Sequence, residues 1–284
     1  MHIIHSISEL RQAVAAVKQA GKVIAFVPTM GNLHQGHLQL VEKGLAEADR
    51  VICSIFVNPL QFGEGEDFDK YPKTLESDTK KLQQIGCDIV FAPSVDDMYP
   101  ESEGQGLDQT QVVVPRISDI LEGASRPGHF TGVATVVAKL FNMVQPDKAI
   151  FGEKDYQQLL LIKRLVRELC FPVEILSHPI VRENNGLAMS SRNGYLNDTQ
   201  KQQAAAIHQT LKALVSRIKA GERDYSALEQ EATERLNNQG FVTDYIKIQT
   251  TELAPPTSQS SHLVILIATY LGSTRLIDNI QLTL

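Results

Sequence analysis

The chain has 284 residues, a formal net charge of −6, and 43% hydrophobic and 21% charged residues. That length supports one large domain or two modest ones, and the composition is that of an ordinary globular protein. The acidic balance argues against a general nucleic-acid binder, and the lack of a long apolar run or a basic-then-apolar N-terminus argues against a membrane span or a secretory signal, so a cytoplasmic protein is expected.

Along the chain, residues 23–27 (VIAFV) form a short continuous apolar run, as expected of a strand buried on both faces. Leu38, Val41, Leu45 and Ala48 then mark one face of a helix, and residues 51–57 (VICSIFV) a second buried strand. Leu75, Leu82 and Ile85 suggest another helix stopped by Gly86, with a strand over residues 88–92. Helices over about 132–144 and 156–169 enclose a short strand at 149–151, and a strand at 173–176 follows. Strands alternating with helices predict an α/β fold, a doubly wound Rossmann-like parallel sheet, over residues 1–180. Near Val181 the texture changes. A loop rich in Asn, Gly and Ser precedes two polar helical stretches (199–220 and 225–238) and strands at 245–249 and 263–269, which predicts a second, smaller α+β domain over residues 181–284. Cys53, Cys87 and Cys170 are scattered beside apolar residues and read as plain buried thiols, with neither disulfide nor metal-ligand spacing.

The segment Pro28-Thr29-Met30-Gly31-Asn32-Leu33-His34-Gln35-Gly36-His37 lies between a buried strand and the next helix. That is the carboxyl end of a strand, where open parallel sheets place their ligands. Gly31 and Gly36 permit close backbone approach, and the helix start offers amide groups to an anion. His34 and His37, three residues apart, face the same way on a first helical turn. They suit negative charge developing on ATP phosphates, and either could be charged there. Gln61 follows the second buried strand and Asn58-Pro59, so its amide can offer donors and an acceptor to a hydroxylated acid. Gly152-Glu153-Lys154-Asp155 marks another strand-to-helix junction. Lys154 can reach a phosphate as a point charge, and Asp155 suits either a helix cap or a ribose hydroxyl.

His34-x-Gly-His37 resembles the signature of the nucleotidyltransferase superfamily that includes class I aminoacyl-tRNA synthetases, and the string from Pro28 to His37 is similar to the first block of the pantothenate synthetases. The resemblance continues through residues 54–62 (SIFVNPLQF), 122–130 (EGASRPGHF), 151–158 (FGEKDYQQ), 189–193 (MSSRN) and 271–279 (LGSTRLIDN), the last similar to that family's closing strand. Leu60 stands where Met is common, a departure that touches the acid pocket, whereas Asn32 and Gln35 fill variable places.

This resemblance implies ATP-dependent condensation of pantoate with β-alanine through a pantoyl adenylate, releasing pyrophosphate and AMP. It implies ATP contacts at Met30, Gly31, His34, Gly36, His37, Gly152, Glu153, Lys154, Asp155, Val181, Met189, Ser190, Ser191 and Arg192, with His37 the candidate proton donor and His34 beside it. The Met189–Arg192 stretch resembles the superfamily's mobile second signature, in which two hydroxyls and a guanidinium can bind leaving pyrophosphate. Val181 has two readings, a backbone or packing contact with adenine and plain strand core. Gln61 and Gln158 match the family's substrate glutamines, and Arg126 with His129 is a candidate lining of the acid site. Asp78 is either a Mg²⁺ contact or part of a solvated helix face beside Lys80 and Lys81. Residues 63–73 (GEGEDFDKYPK) read as a lid or as plain surface. A homodimer is implied, with no nucleic-acid or membrane partner. The competing readings are another small-substrate nucleotidyltransferase of the superfamily and a non-catalytic adenine-nucleotide sensor.

Overall fold

A computed structural model of the chain describes residues 1–63, 65–100 and 110–284, which divide into two compact units. The first comprises residues 1–153 and 158–179, and the second residues 154–157 and 180–284.

In chain order the first unit carries β1 (His2–Ile4), α1 (Ile7–Gln19), β2 (Ile24–Thr29), α2 (Gln35–Glu47), β3 (Arg50–Ile55), α3 (Leu75–Gln84), β4 (Ile89–Phe91), α4 (Val95–Met98), α5 (Glu122–Ser125), α6 (His129–Val144) and β5 (Lys148–Gly152). Helix α7 (Tyr156–Glu168) and β6 (Glu174–His178) complete its sheet layer. The sheet has six strands in the order β1-β4-β3-β2-β5-β6, every pair parallel. Its inner strands are apolar on both faces because both are covered. Ile24 and Phe26 point into one core with Leu10, Phe91, Phe141 and Leu161. Ala25 and Val27 point into the other with Val41, Val51, Leu82 and Ile150. This is the doubly wound α/β architecture that the alternating pattern predicts.

From β2 the chain moves to β3 on one side, and β5 later adds on the other, so the order reverses between β2 and β5. A crevice at such a reversal, outside the carboxyl ends of the strands, is where sheets of this kind receive ligands. The loops at residues 30–34 and 152–153 leave these two strands.

The second unit holds α8 (Asp198–Lys219), α9 (Tyr225–Asn237) and an antiparallel sheet in the order β7 (Phe241–Thr250), β8 (His262–Leu271), β9 (Thr274–Thr283). Leu263, Ile265 and Ile267 of β8 share a core with Leu211, Leu214 and Ile218 of α8 and Leu228 and Leu236 of α9. This is a small α+β unit, as the change in texture near Val181 predicts. Residues 154–157, which the sequence reading leaves in the first domain, group with it: Asn279 Nδ2 donates to the Lys154 carbonyl at 2.9 Å, and the Tyr156 hydroxyl to the Thr251 carbonyl at 2.9 Å.

The pattern reading assigns nothing to residues 2–19, where β1 and α1 stand. It also takes all three cysteines as buried. Cys53 and Cys87 are, and burial pushes the Cys87 thiol up to about 12. Cys170 is exposed, at φ +54° just past α7, in the left-handed position that ends a helix. Among the described residues no helix is long and apolar enough to cross a membrane.

Candidate active site

The loop after β2 is shaped by a buried carboxylate. Gly31 (φ +83°) and Asn32 (φ +50°) are both left-handed, a conformation that glycine adopts without cost and asparagine tolerates. The turn they make brings the amides of Asn32 and Leu33 to one side, forming a concavity for an anion. Asp78 of α3 supplies that anion. Its carboxylate, fully buried, accepts from the amides of Asn32 and Leu33, both at 2.8 Å, and from the Thr74 hydroxyl at 2.9 Å. Lys81 Nζ donates to the Leu33 carbonyl at 2.6 Å and lies 3.9 Å from the same carboxylate. A side chain at position 31 would place its Cβ 3.2 Å from an Asp78 oxygen and 3.1 Å from Ile55.

This loop delivers His34 as the N-cap of α2. The Gly36 amide donates to His34 Nδ1 at 3.1 Å, and the His34 amide donates to His37 Nδ1 at 3.4 Å, a capping box built from two imidazoles. The half-buried rings lie 4.1 Å apart, tilted by 38°. Because each Nδ1 accepts, the neutral rings carry their proton on Nε2, and each presents an N–H donor beside the positive end of a helix. The pair is thus arranged as hydrogen-bond donors, and no charge on either ring is needed for that.

A second cluster surrounds Gln61, in the 3₁₀ turn Pro59–Gln61 beyond β3. Asn58, fully buried, donates from Nδ2 to Gln61 Oε1 at 2.9 Å and to the Gly132 carbonyl at 3.1 Å. Its Oδ1 accepts from the Tyr99 hydroxyl at 2.8 Å, whose phenol burial pushes well above its ordinary range. The Gln61 carbonyl accepts from His129 Nδ1 at 2.8 Å and from Arg126 Nη2 at 3.2 Å. Arg126 also grips Glu66 through Nε (2.8 Å) and Nη2 (2.6 Å), and its Nη1 meets His129 Nε2 at 3.1 Å. His129 is therefore neutral, donating at Nδ1 and accepting at Nε2. Burial, and next the Arg126 guanidinium, hold its pKa down to about 4. Helix α6 approaches this turn so closely that a Cβ on Gly132 would lie 2.1 Å from the Leu60 carbonyl oxygen.

Beyond β5, the Ser177 hydroxyl of β6 donates to Glu153 at 2.7 Å, and Lys43 Nζ donates to the Ser177 carbonyl at 2.7 Å. Gly152 and Glu153 are half-buried, as is Gln158 on α7.

In the second unit, the chain from Val181 to Met189 folds back on itself. The Met189 amide donates to the Val181 carbonyl at 2.9 Å, and Arg182 forms a bidentate pair with Asp278 of β9 at 2.7 and 2.9 Å. The hydroxyl of Ser190 then accepts the Arg192 amide at 3.3 Å and caps the 3₁₀ turn Ser191–Tyr195. Buried Asn193 fastens this turn by donating to the Ala188 carbonyl at 3.0 Å. Ser190, Ser191 and Arg192 are half-buried, and Asp155 is exposed.

The family profile described as pantoate-beta-alanine ligase matches residues 2–281. The chain is 53% identical over 285 residues to the pantothenate synthetase of Pseudomonas fluorescens strain SBW25, covering 100% of both sequences. It belongs to the pantoate–β-alanine ligase family. A crystal structure of pantothenate synthetase from Thermus thermophilus superposes with a TM-score of 0.91 at 44% identity, covering 99% of each chain. One of the pantoate-beta-alanine ligase from Francisella tularensis, complexed with beta-gamma ATP and β-alanine, gives 0.83 at 36% identity, covering 99% of this chain and 97% of that one. Membership in the pantoate–β-alanine ligase family makes the chain an enzyme, a ligase.

Within this ligase two expected side chains hold internal hydrogen bonds. Asp78 is not a solvated face: its two oxygens accept three hydrogen bonds in a fully buried place. Among the described residues no group of three or more His, Cys, Asp or Glu could hold a metal. Arg126, expected along the acid site, uses its guanidinium on Glu66, His129 and the Gln61 backbone. Within the 63–73 stretch Glu64 lies outside the described residues, and Phe62 packs on Phe68 and Tyr71 at ring distances of 5.3 and 5.8 Å. That stretch is anchored by these rings and by Glu66. Asn58 and Tyr99 are not singled out in the sequence: Asn58 holds the Gln61 side chain, and Tyr99 holds Asn58. Asn58 sits in a recognisable block, but Tyr99 has no local signal, because its partner is 41 residues away.

Proposed function

We propose that this ligase makes pantothenate from pantoate and β-alanine at the expense of ATP, in two steps. In the first, a pantoate carboxylate oxygen attacks the α-phosphorus, the bond to the β-phosphate breaks, and pyrophosphate leaves. In the second, the β-alanine nitrogen attacks the acyl carbon of the adenylate, AMP departs with the bonding pair, and the nitrogen loses a proton. No protein nucleophile is required, so the chain's contribution is positioning and charge stabilisation.

The observation that carries this reading is the capped pair of imidazoles at the sheet's reversal point. His34 and His37 present Nε2–H donors to phosphate oxygens as charge builds there, and His37 is the group we assign to proton donation. Gln61, its Oε1 held by Asn58, turns its NH₂ toward the acid's oxygens, and Gln158 is a second pantoate contact. On the nucleotide we place contacts at Met30, Gly31, Gly36, Gly152, Glu153, Lys154, Asp155 and Val181, with Met189, Ser190, Ser191 and Arg192 serving the leaving pyrophosphate. The Francisella relative, complexed with beta-gamma ATP and β-alanine, supports ATP and β-alanine as substrates. A homodimer is the assembly we assign from family membership, to be checked by sedimentation.

The test is pyrophosphate release from Mg-ATP and pantoate, with β-alanine first omitted and then added. A burst limited to the enzyme concentration, becoming steady turnover with AMP and pantothenate as products, is expected. Folded protein that releases no pyrophosphate under either condition would overturn the two-step reading.

A further inference from the structure

We infer that Tyr99 is a positioning residue for acid recognition, acting through Asn58 to fix which end of the Gln61 amide faces the substrate. The inference rests on the reading of Gln61 as an acid contact, and it adds a residue outside the motif blocks.

Donors and acceptors fix the arrangement. An asparagine amide has two ends of nearly equal shape, and only its partners decide which is which. The Gly132 carbonyl can only accept, so the end of Asn58 that faces it at 3.1 Å is Nδ2. The other end is then Oδ1, and it needs a donor because Asn58 is fully buried. That donor is the Tyr99 hydroxyl at 2.8 Å. With both ends of Asn58 assigned, the second Nδ2 hydrogen points at Gln61, whose facing atom at 2.9 Å must be Oε1. Gln61 Nε2 is the end left for the ligand, as a donor suited to a carboxylate or hydroxyl oxygen.

Tyr99 is well placed to hold this relay. It is 1% exposed, its amide donates to the Val95 carbonyl at 2.7 Å at the end of α4, and its ring lies beside Phe56 at 6.1 Å. Removing only the hydroxyl leaves Asn58 Oδ1 buried with no donor from Tyr99, so the asparagine shifts to find one and the amide of Gln61 loses its fixed sense. An amide fixed by one hydrogen bond of ordinary strength corresponds to a change of about fivefold in the recognition it supports.

The experiment is a double-mutant cycle on the full chain with Tyr99→Phe, Gln61→Ala and the combination, reading the KM for pantoate and for ATP separately, with circular dichroism to check folding. Tyr99→Phe is expected to raise the pantoate KM by about fivefold and leave the ATP KM within about twofold. The double variant is expected to match Gln61→Ala alone, because Tyr99 has nothing to orient once the glutamine is gone. Placing p-aminophenylalanine at position 99, which keeps a donor there, is expected to restore the pantoate KM, and it provides the comparison if Tyr99→Phe does not fold. Effects that multiply in the double variant, or KM values for both substrates that rise together, would show a merely structural tyrosine and overturn the inference. If Gln61→Ala itself leaves the pantoate KM unchanged, the reading of Gln61 falls first, and the inference falls with it.

Discussion

His34 serves two ends of one ring. Nδ1 caps α2 by accepting the Gly36 amide, and Nε2 carries the donor that we assign to phosphate. Asparagine is also a good N-cap, so His34→Asn separates the functions. Its unfolding free energy is expected to stay within about 0.5 kcal/mol of the parent while adenylate formation slows by about a hundredfold. Equal turnover in pre-steady-state pyrophosphate release would remove His34 from the chemistry. His37→Ala loses the second half of the capping box, about 1 kcal/mol, and a similar factor in rate. His129 gives a stability signal with a definite sign. Its pKa in the fold is about 4, against about 6.5 in the unfolded chain, so between these values the unfolded state binds the extra proton. Stability from this residue is complete above pH 6.5 and falls by about 3 kcal/mol as pH drops to 4. Urea titrations at pH 7 and pH 4 are expected to show a smaller difference for His129→Gln than for the parent, and equal differences would contradict the burial of a neutral ring. The glycines and histidines of residues 28–37 announce a ligand loop in the sequence, because strand, turn and helix start are all local. The carboxylate that shapes that loop is not legible there. Asp78 sits on a helix beside Lys80 and Lys81, where the sequence offers a Mg²⁺ contact or a solvated face, and only the fold brings it 2.8 Å from the amide of Asn32.

At the scale of elements, the site depends on how closely they approach one another. Helix α6 reaches the Pro59–Gln61 turn because position 132 has no side chain, its would-be Cβ being 2.1 Å from a backbone oxygen. Gly132→Ala must separate helix and turn, and it is expected to cost about 3 kcal/mol or more and to weaken pantoate recognition along with stability. A thermal midpoint unchanged from the parent would show that the close approach is not required. Strands such as VIAFV are legible without a structure because both faces of β2 are apolar, Phe26 feeding one core and Val27 the other. Strand β1 is not, because it has three residues and one of them buried, so it is specified by what it packs against. Helix α1 carries an apolar stripe of Ile7, Leu10, Val14 and Val17 behind the N-cap Ser6, a legible pattern that the sequence reading leaves unassigned.

For the molecule as a whole, each unit has its own core, and the six-stranded sheet is graded from edge to centre. Strand β2 is bonded on both sides, whereas β1 pairs with β4 alone. Hydrogen exchange is therefore expected to be slowest at residues 24–29 and markedly faster at residues 2–4, and equal protection would mean that the sheet opens only as one block. The all-parallel arrangement also bears on how the chain is born. None of the six strands meets its neighbour through a tight hairpin, and the start of β2 is tied to Asp147, 123 residues downstream. During synthesis the wall of the ligand crevice supplied by β5 does not exist until Gly152 has been added, so a ribosome that stalls earlier releases a chain carrying the histidine signature and no crevice to use it in.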